Sequence, residues 1–225
     1  MGGRKLYCLL QEPVKNLSTG LGRDKFFDLL RCNDLLVKRR RKYVVTTQSL
    51  RRFFMYKDHY NGRQWMQPHR AWVSDITYIR VGGGFQYLFL ITDAYSRKIV
   101  GWKLAGTLET KWAVEALQMA LKQCKQKQGL VHHSDRGFQY CSNEYTGLLT
   151  SNKMIPSMGQ AGYCYDNAMA ERVNGILKDE YFLDATFRSI KQAHKATAEA
   201  IVKYNNQRPH WSLNMQIPAQ VHKAA

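Results

Sequence analysis

The chain has 225 residues, 44% of them hydrophobic and 12% aromatic, enough to bury a core and too apolar for a disordered polymer. Its 34 Lys and Arg outnumber 17 Asp and Glu, a formal charge of +17. That balance points to nucleic acid, because each cation that neutralises a phosphate releases a condensed counterion; a ribosomal-type or membrane-surface protein fits less well, given the aromatic content and the lack of a basic amphipathic helix.

No apolar run reaches the ~18 residues of a membrane span, and no apolar stretch follows Met1-Gly2-Gly3-Arg4-Lys5 to make a secretory signal. The five cysteines (Cys8, Cys32, Cys124, Cys141, Cys164) form no CxxC pair, which argues against a disulfide framework or structural zinc and for a reducing cytosol.

Along the chain, residues 1–65 hold 15 basic and 5 acidic residues, against 19 and 12 in residues 66–225. Leu6, Leu9 and Leu10 share one helical face; Phe26, Phe27, Leu29 and Leu30 mark a second helix before a turn at Asn33-Asp34. The basic run Lys38-Arg39-Arg40-Arg41-Lys42 follows. Residues 1–52 therefore read as a basic helical, helix-turn-helix-like module, or more blandly as a solvated connector, with a linker over 53–70. Residues 71–225 read as the main domain.

That domain starts with a β-branched and aromatic strand, Trp72 to Ile79, which ends at Gly82-Gly83-Gly84; Phe85 to Thr92 is its hairpin partner and Lys98 to Leu104 a third strand. A helical stripe over 109–124 is followed by a short strand at 130–133, a helix at 143–152, a strand at 155–158, and helices at 167–182 and 189–206. Three antiparallel strands followed by αβα units form an α/β, ribonuclease-H-like mixed sheet.

Phosphodiester chemistry calls for carboxylates on rigid elements, because hard divalent cations take oxygen ligands and offset charge at the reacting phosphate. Asp75 lies mid-strand in an apolar run, where a carboxylate is costly unless paired or metal-bound. Asp135 follows a strand, beside Gly137. Glu171 sits on the helix after Asp166-Asn167, one face of which also carries Asn174 and Lys178. Read blandly, these are a salt-bridge acid, a helix cap and a solvated helix residue. Asp93 reads as a turn residue paired with Arg97, Asp166-Asn167 as a helix cap, and Glu144, Asp179 and Glu180 as solvated. His132 and His133 read as core groups or groups supporting the site.

Three segments resemble the OrfB-type bacterial insertion-sequence transposases with a retroviral-integrase-like DDE core: Trp72 to Tyr78, His133 to Tyr140, and Tyr165 to Glu171. The 35 residues between Asp135 and Glu171 are the family's interval, and Tyr204-Asn205-Asn206-Gln207-Arg208-Pro209-His210 is similar to the family's tail motif. The resemblance implies a DNA transposase in which Asp75, Asp135 and Glu171 are the catalytic and metal-binding residues, holding two Mg2+ or Mn2+. Hydrolysis at the element's end would free a 3′-hydroxyl, which then attacks a second phosphodiester.

The resemblance further implies double-stranded DNA partners (terminal inverted repeats and target), a homo-oligomer on DNA, and a cytoplasmic, nucleoid-associated location. Arg172, Asn174 and Lys178, with the basic run Lys38 to Lys42, are the candidate DNA contacts; the tail motif reads as structural or DNA-contacting. By the same resemblance the chain begins inside the family's N-terminal region, and a separate helix-turn-helix, often a companion OrfA protein, lies outside it. The readings that compete are a catalytically inactive DNA-binding derivative and a ribonuclease-H-type nuclease without strand transfer.

Overall fold

The structure is a computed structural model that describes residues 2–16, 21–37, 56–159 and 167–224. The basic run Lys38 to Lys42 and Asp166 lie outside the described residues. Two helices, α1 (Gly3–Asn16) and α2 (Arg23–Cys32), precede a hairpin of β1 (Ala71–Val81) and β2 (Gly84–Asp93). Then come β3 (Ile99–Ala105), α3 (Thr110–Gln123), β4 (Val131–Ser134), α4 (Phe138–Cys141), α5 (Asn143–Ser151), β5 (Ile155–Met158), α6 (Ala168–Glu180) and α7 (Ile190–Gln207). A 3-10 turn (Trp211–Leu213) and α8 (Pro218–Lys223) close the chain.

The sheet order is β3-β2-β1-β4-β5, with β1, β2 and β3 antiparallel and β4 and β5 parallel to β1. This is the plan expected from the sequence. The triglycine resolves into a two-residue turn whose first residue, Gly82, has φ +56°, a conformation that costs a residue without Cβ little.

Strand alternation, interrupted on β3 by a bulge at Val100 opposite Ile91 and Thr92, sorts the core into two layers. Trp72, Phe89, Ile91 and Val100 pack with Ala116, Leu117 and Ala120 of α3 and with Tyr145 of α5. On the opposite face Ile79, Leu88, Leu90 and Leu104 pack with Val173 and Leu177 of α6 and Ala200, Ile201 and Tyr204 of α7. The α3 backbone comes so close to β3 that a Cβ on Gly101 would lie 2.2 Å from the Ala116 carbonyl oxygen, so only glycine fits there.

The tail motif proves to be a set of internal clamps. Tyr204 donates its hydroxyl to the Arg97 carbonyl (3.0 Å). The Asn205 amide accepts from the Ile99 N–H and donates to the Ile99 carbonyl, both at 2.9 Å. It thereby serves as a one-residue strand partner on the sheet edge. Arg208, 1% exposed, forks onto Glu180 at the end of α6 through Nε (2.8 Å) and Nη2 (2.9 Å). Glu180 is thus a half-buried ion-pair partner, not the solvated acid its sequence context suggests.

Asp93 also departs from its sequence reading. It lies in the expected turn, but its carboxylate is fully buried and accepts from the His69 N–H (2.7 Å), the Ser96 N–H (2.8 Å) and the Ser96 hydroxyl (2.8 Å). The Arg97 side chain turns instead to the Ala94 carbonyl and the Met169 sulfur.

At the N-terminus, α1 and α2 meet through Tyr7 and Phe26, with ring centroids 5.3 Å apart. Lys5 of α1 reaches Glu180 (Nζ to Oε1, 3.8 Å), and the Arg4 guanidinium lies 6.0 Å from the Trp211 ring. In the stretch proposed as a linker, Tyr60 stacks on His133 (4.7 Å) and on Trp65 (6.0 Å), and the His59 N–H donates to Ser157 (2.8 Å).

Candidate active site

The parallel pairing of β1 with β4 sets the first two acids. Val73 is opposite His133, and Asp75 and Asp135 each stand two residues further along these neighbouring strands. Asp75 is half-buried; its Oδ1 accepts from the Ile76 N–H (2.9 Å) and its Oδ2 from Asn174 Nδ2 (2.7 Å). Burial first, and the negative charge of Asp135 second, push the Asp75 carboxyl up to about 7; Glu171 adds a smaller push in the same direction.

Asp135 leaves β4 with its outer edge exposed, and its Oδ1 accepts from the Gly137 N–H (3.0 Å). The protein behind it raises the carboxyl above its usual range, and the Gly137 hydrogen bond opposes that rise. A Cβ on Gly137 would sit 2.9 Å from Asp135 Oδ1, so a side chain there would displace the carboxylate.

Glu171 is exposed in the first turn of α6. Asn167 and Asn174 flank it four residues before and three after, on the same helical face. Both are buried and both reach β1: Asn167 Nδ2 donates to the Ser74 carbonyl (3.0 Å) and Asn174 Nδ2 to Asp75. The face that carries Glu171 is thus stapled to two consecutive residues of the Asp75 strand. Asn167 occupies the N-cap position, yet its side chain makes no capping bond, because it is committed to β1. The Oδ1 atoms of both asparagines are buried without a hydrogen-bond partner.

Beneath the acids, the buried His132 Nε2 lies 2.8 Å from the Ser74 hydroxyl and 2.9 Å from the Tyr145 hydroxyl. Burial, with His133 beside it, drops its pKa to about 3, so the ring is neutral. His133 Nδ1 lies 2.9 Å from the Ser157 hydroxyl. Both histidines are core groups tying the strands together.

The structure places Asp75, Asp135 and the Glu171 helix face at one end of the β1–β4 pair. Among the described residues, no three His, Cys, Asp or Glu side chains gather tightly enough to hold one metal ion. The preassembled part is the aspartate pair: hard oxygen donors whose mutual repulsion a divalent cation would relieve. In that respect the residues fit such an ion.

Of the candidate DNA contacts, Arg172 is exposed next to Glu171, whereas Asn174 is buried against Asp75. Lys178 holds its Nζ 4.0 Å from the centre of the Tyr78 ring, and burial lowers its pKa. Sequence reasoning missed the attachments of Asn167 and Asn174 to β1. Their spacing around Glu171 was a usable signal, since positions i−4 and i+3 share its face.

Fold and site together define an integrase-type catalytic core of the ribonuclease-H-like class. Two family models, both described as Integrase core domain, match residues 66–164 and 152–218. The HTLV-2 integrase catalytic core domain, solved in complex with magnesium in a trimeric form, superposes with a TM-score of 0.56 at 19% identity, over 71% of this chain and 99% of that one.

The chain belongs to the family of insertion-sequence transposases with an integrase core. It is 34% identical to the insertion element IS600 uncharacterized 31 kDa protein of Shigella sonnei, over 93% of this chain and 78% of that protein. It is 37% identical to the Shigella sonnei transposase for insertion sequence element IS629, over 70% of this chain and 53% of that protein. The chain spans about half the length of the first curated relatives it matches.

Proposed function

We propose that this chain carries the catalytic core of a DNA transposase, with Asp75, Asp135 and Glu171 as its metal-binding catalytic residues. The observation that carries the reading is the Asp75–Asp135 pair on parallel strands, with the Glu171 face of α6 stapled beside it by Asn167 and Asn174. Two divalent cations, Mg2+ or Mn2+, would offset charge at the reacting phosphate and ease deprotonation of the attacking oxygen. In the first step water attacks the phosphodiester at the element's end and a 3′-hydroxyl leaves. In the second, that hydroxyl attacks a phosphodiester of the target, the target strand's own 3′-hydroxyl leaves, and the element's end is joined in its place.

The +17 charge supports double-stranded DNA as the partner. Joining both ends of an element supports assembly of two or more copies, and a companion protein of OrfA type would supply recognition of the terminal repeats. DNA association would place the protein at the bacterial nucleoid. Among the described residues no helix is long and apolar enough to cross a membrane.

The test is a Mg2+-dependent assay on labelled DNA from the element's flanking repeats. Cleaved and joined products are expected. Cleavage without joining would indicate a nuclease, and binding with no product at any metal concentration would indicate an inactive DNA-binding derivative. Asn174→Ala removes the donor that orients Asp75, so the Mg2+ concentration for half-maximal joining is expected to rise about ten-fold. An unchanged metal titration would remove Asn174 from the positioning role.

A further inference from the structure

The tip of the β1–β2 hairpin carries two aromatic rings that a small domain has every reason to bury. Tyr78 is 41% and Phe85 51% exposed. They sit diagonally across the hairpin, with Tyr78 opposite Tyr87 and Phe85 opposite Arg80, and their rings meet edge to face at 5.3 Å and 82°. A diagonal aromatic pair steadies a hairpin modestly, and aliphatic β-branched residues would do so with less exposed ring surface.

What sits around the pair is basic. Lys178 Nζ lies over the Tyr78 ring, and Arg80 is exposed on the same strand with a guanidinium N–H donating to the Asp184 carbonyl (3.3 Å). Tyr78 is three residues from Asp75 on β1, which turns its side chain to the other face of the strand, and the link to the proposed active site runs through Lys178, which lies over Tyr78, feels the charge of Asp75 and stands seven residues from Glu171 on α6. Lys178 covers one face of Tyr78, and the remainder of the pair, Phe85 above all at 51% exposed, offers ring surface beside a cation, the pairing that receives a nucleobase and its phosphate.

We propose that Tyr78 and Phe85 form a stacking platform for an unpaired base at the DNA end on which the chain acts, with Lys178 and Arg80 meeting the adjoining phosphates. The inference rests on the transposase reading and adds a substrate feature to it. A base inside a duplex offers no free face, so the platform selects a splayed end over a closed one. It would hold the strand beside the carboxylates while the phosphodiester is positioned.

The experiment compares the full chain's affinity for a blunt duplex with its affinity for the same duplex bearing a short unpaired end labelled with 2-aminopurine. The wild type is expected to prefer the splayed end and to change the 2-aminopurine fluorescence on binding. Tyr78→Ile with Phe85→Ile keeps β-propensity and removes both rings. It is expected to lose about ten-fold in affinity for the splayed end, with blunt-duplex affinity unchanged. Tyr78→Trp is expected to retain the preference, which separates stacking from a folding defect; thermal melting of each variant checks the fold.

Retention of both the preference and the fluorescence change by the double isoleucine variant would overturn the proposal. So would a change in its oligomeric mass, which would make the tip a contact between copies of the chain. A wild type that prefers splayed ends yet never cuts in Mg2+ would sink the transposase reading alone. One that cuts and joins without the preference would sink the platform alone.

Discussion

Arg208→Ala is expected to destabilise the fold by ~3–5 kcal/mol, the usual cost of stranding one member of a buried ion pair. For a domain of this size that lowers the melting temperature by about 10 °C. Arg208 is buried and its fork takes both oxygens of Glu180, so its loss leaves a half-buried carboxylate with the more distant Lys5, at 3.8 Å, as a much weaker partner. Arg208→Lys keeps the charge but lacks the planar fork and is expected to recover only part of the loss. Arg208→Met combined with Glu180→Leu removes both charges and is expected to recover most of it. A double variant as unstable as Arg208→Ala would show that packing of the arginine stem, and not the pair, sets the cost.

The same pair fixes a pH dependence. Burial alone would raise the Glu180 carboxyl, but hydrogen bonds and charge from Arg208, with Lys5 behind, hold it below its ordinary value. The folded protein therefore binds this proton less readily than the unfolded chain. The pair's stability is fully present above the ordinary glutamate range and is lost as pH falls through the lowered value. Arg208→Met with Glu180→Leu is expected to flatten that part of the acid limb of a melting curve.

Features of local period were legible in the sequence. The hairpin around Gly82-Gly83-Gly84 announces itself by strand chemistry and a turn, and the βββαβ order already implies the parallel β1–β4 pairing that aligns Asp75 with Asp135. The short helices α4 and α8 were not legible, since four to six residues hold too little periodicity to separate helix from turn. Nor were the long-range partners. Asn174 meets Asp75 across 99 residues and Arg208 meets Glu180 across 28, distances at which spacing carries no geometric information. Asn167 shows why such assignments slip: its position is that of a cap, but a carbonyl on β1 competes for its amide and wins.

Asp75→Asn is expected to do two opposite things. Joining should fall by a factor of about 1,000 or more, since an amide neither shares the negative charge with a cation nor offers two equivalent oxygens; at ~1.4 kcal/mol per ten-fold, that is ~4 kcal/mol of transition-state stabilisation. The metal-free fold, however, should become more stable at pH 8. With its carboxyl raised to about 7, wild-type Asp75 binds a proton in the folded state that the unfolded chain has already released. Its ionisation therefore withholds stability progressively as pH rises from the ordinary aspartate value through 7, and none is withheld below that window. Because the group is only partly shielded from water, the withheld amount is on the order of 2 kcal/mol, or about 5 °C in melting temperature. Asparagine escapes this cost and can be accommodated: if the Asn174 amide turns over, its unpartnered Oδ1 accepts from the new Nδ2 at position 75. Mg2+ should raise the wild-type melting temperature at pH 8 and leave that of the variant nearly unchanged. Equal melting temperatures for the two metal-free proteins at pH 8 would mean that Asp135 and burial do not press on Asp75, and the carboxylate pair would lose its standing as a cation site.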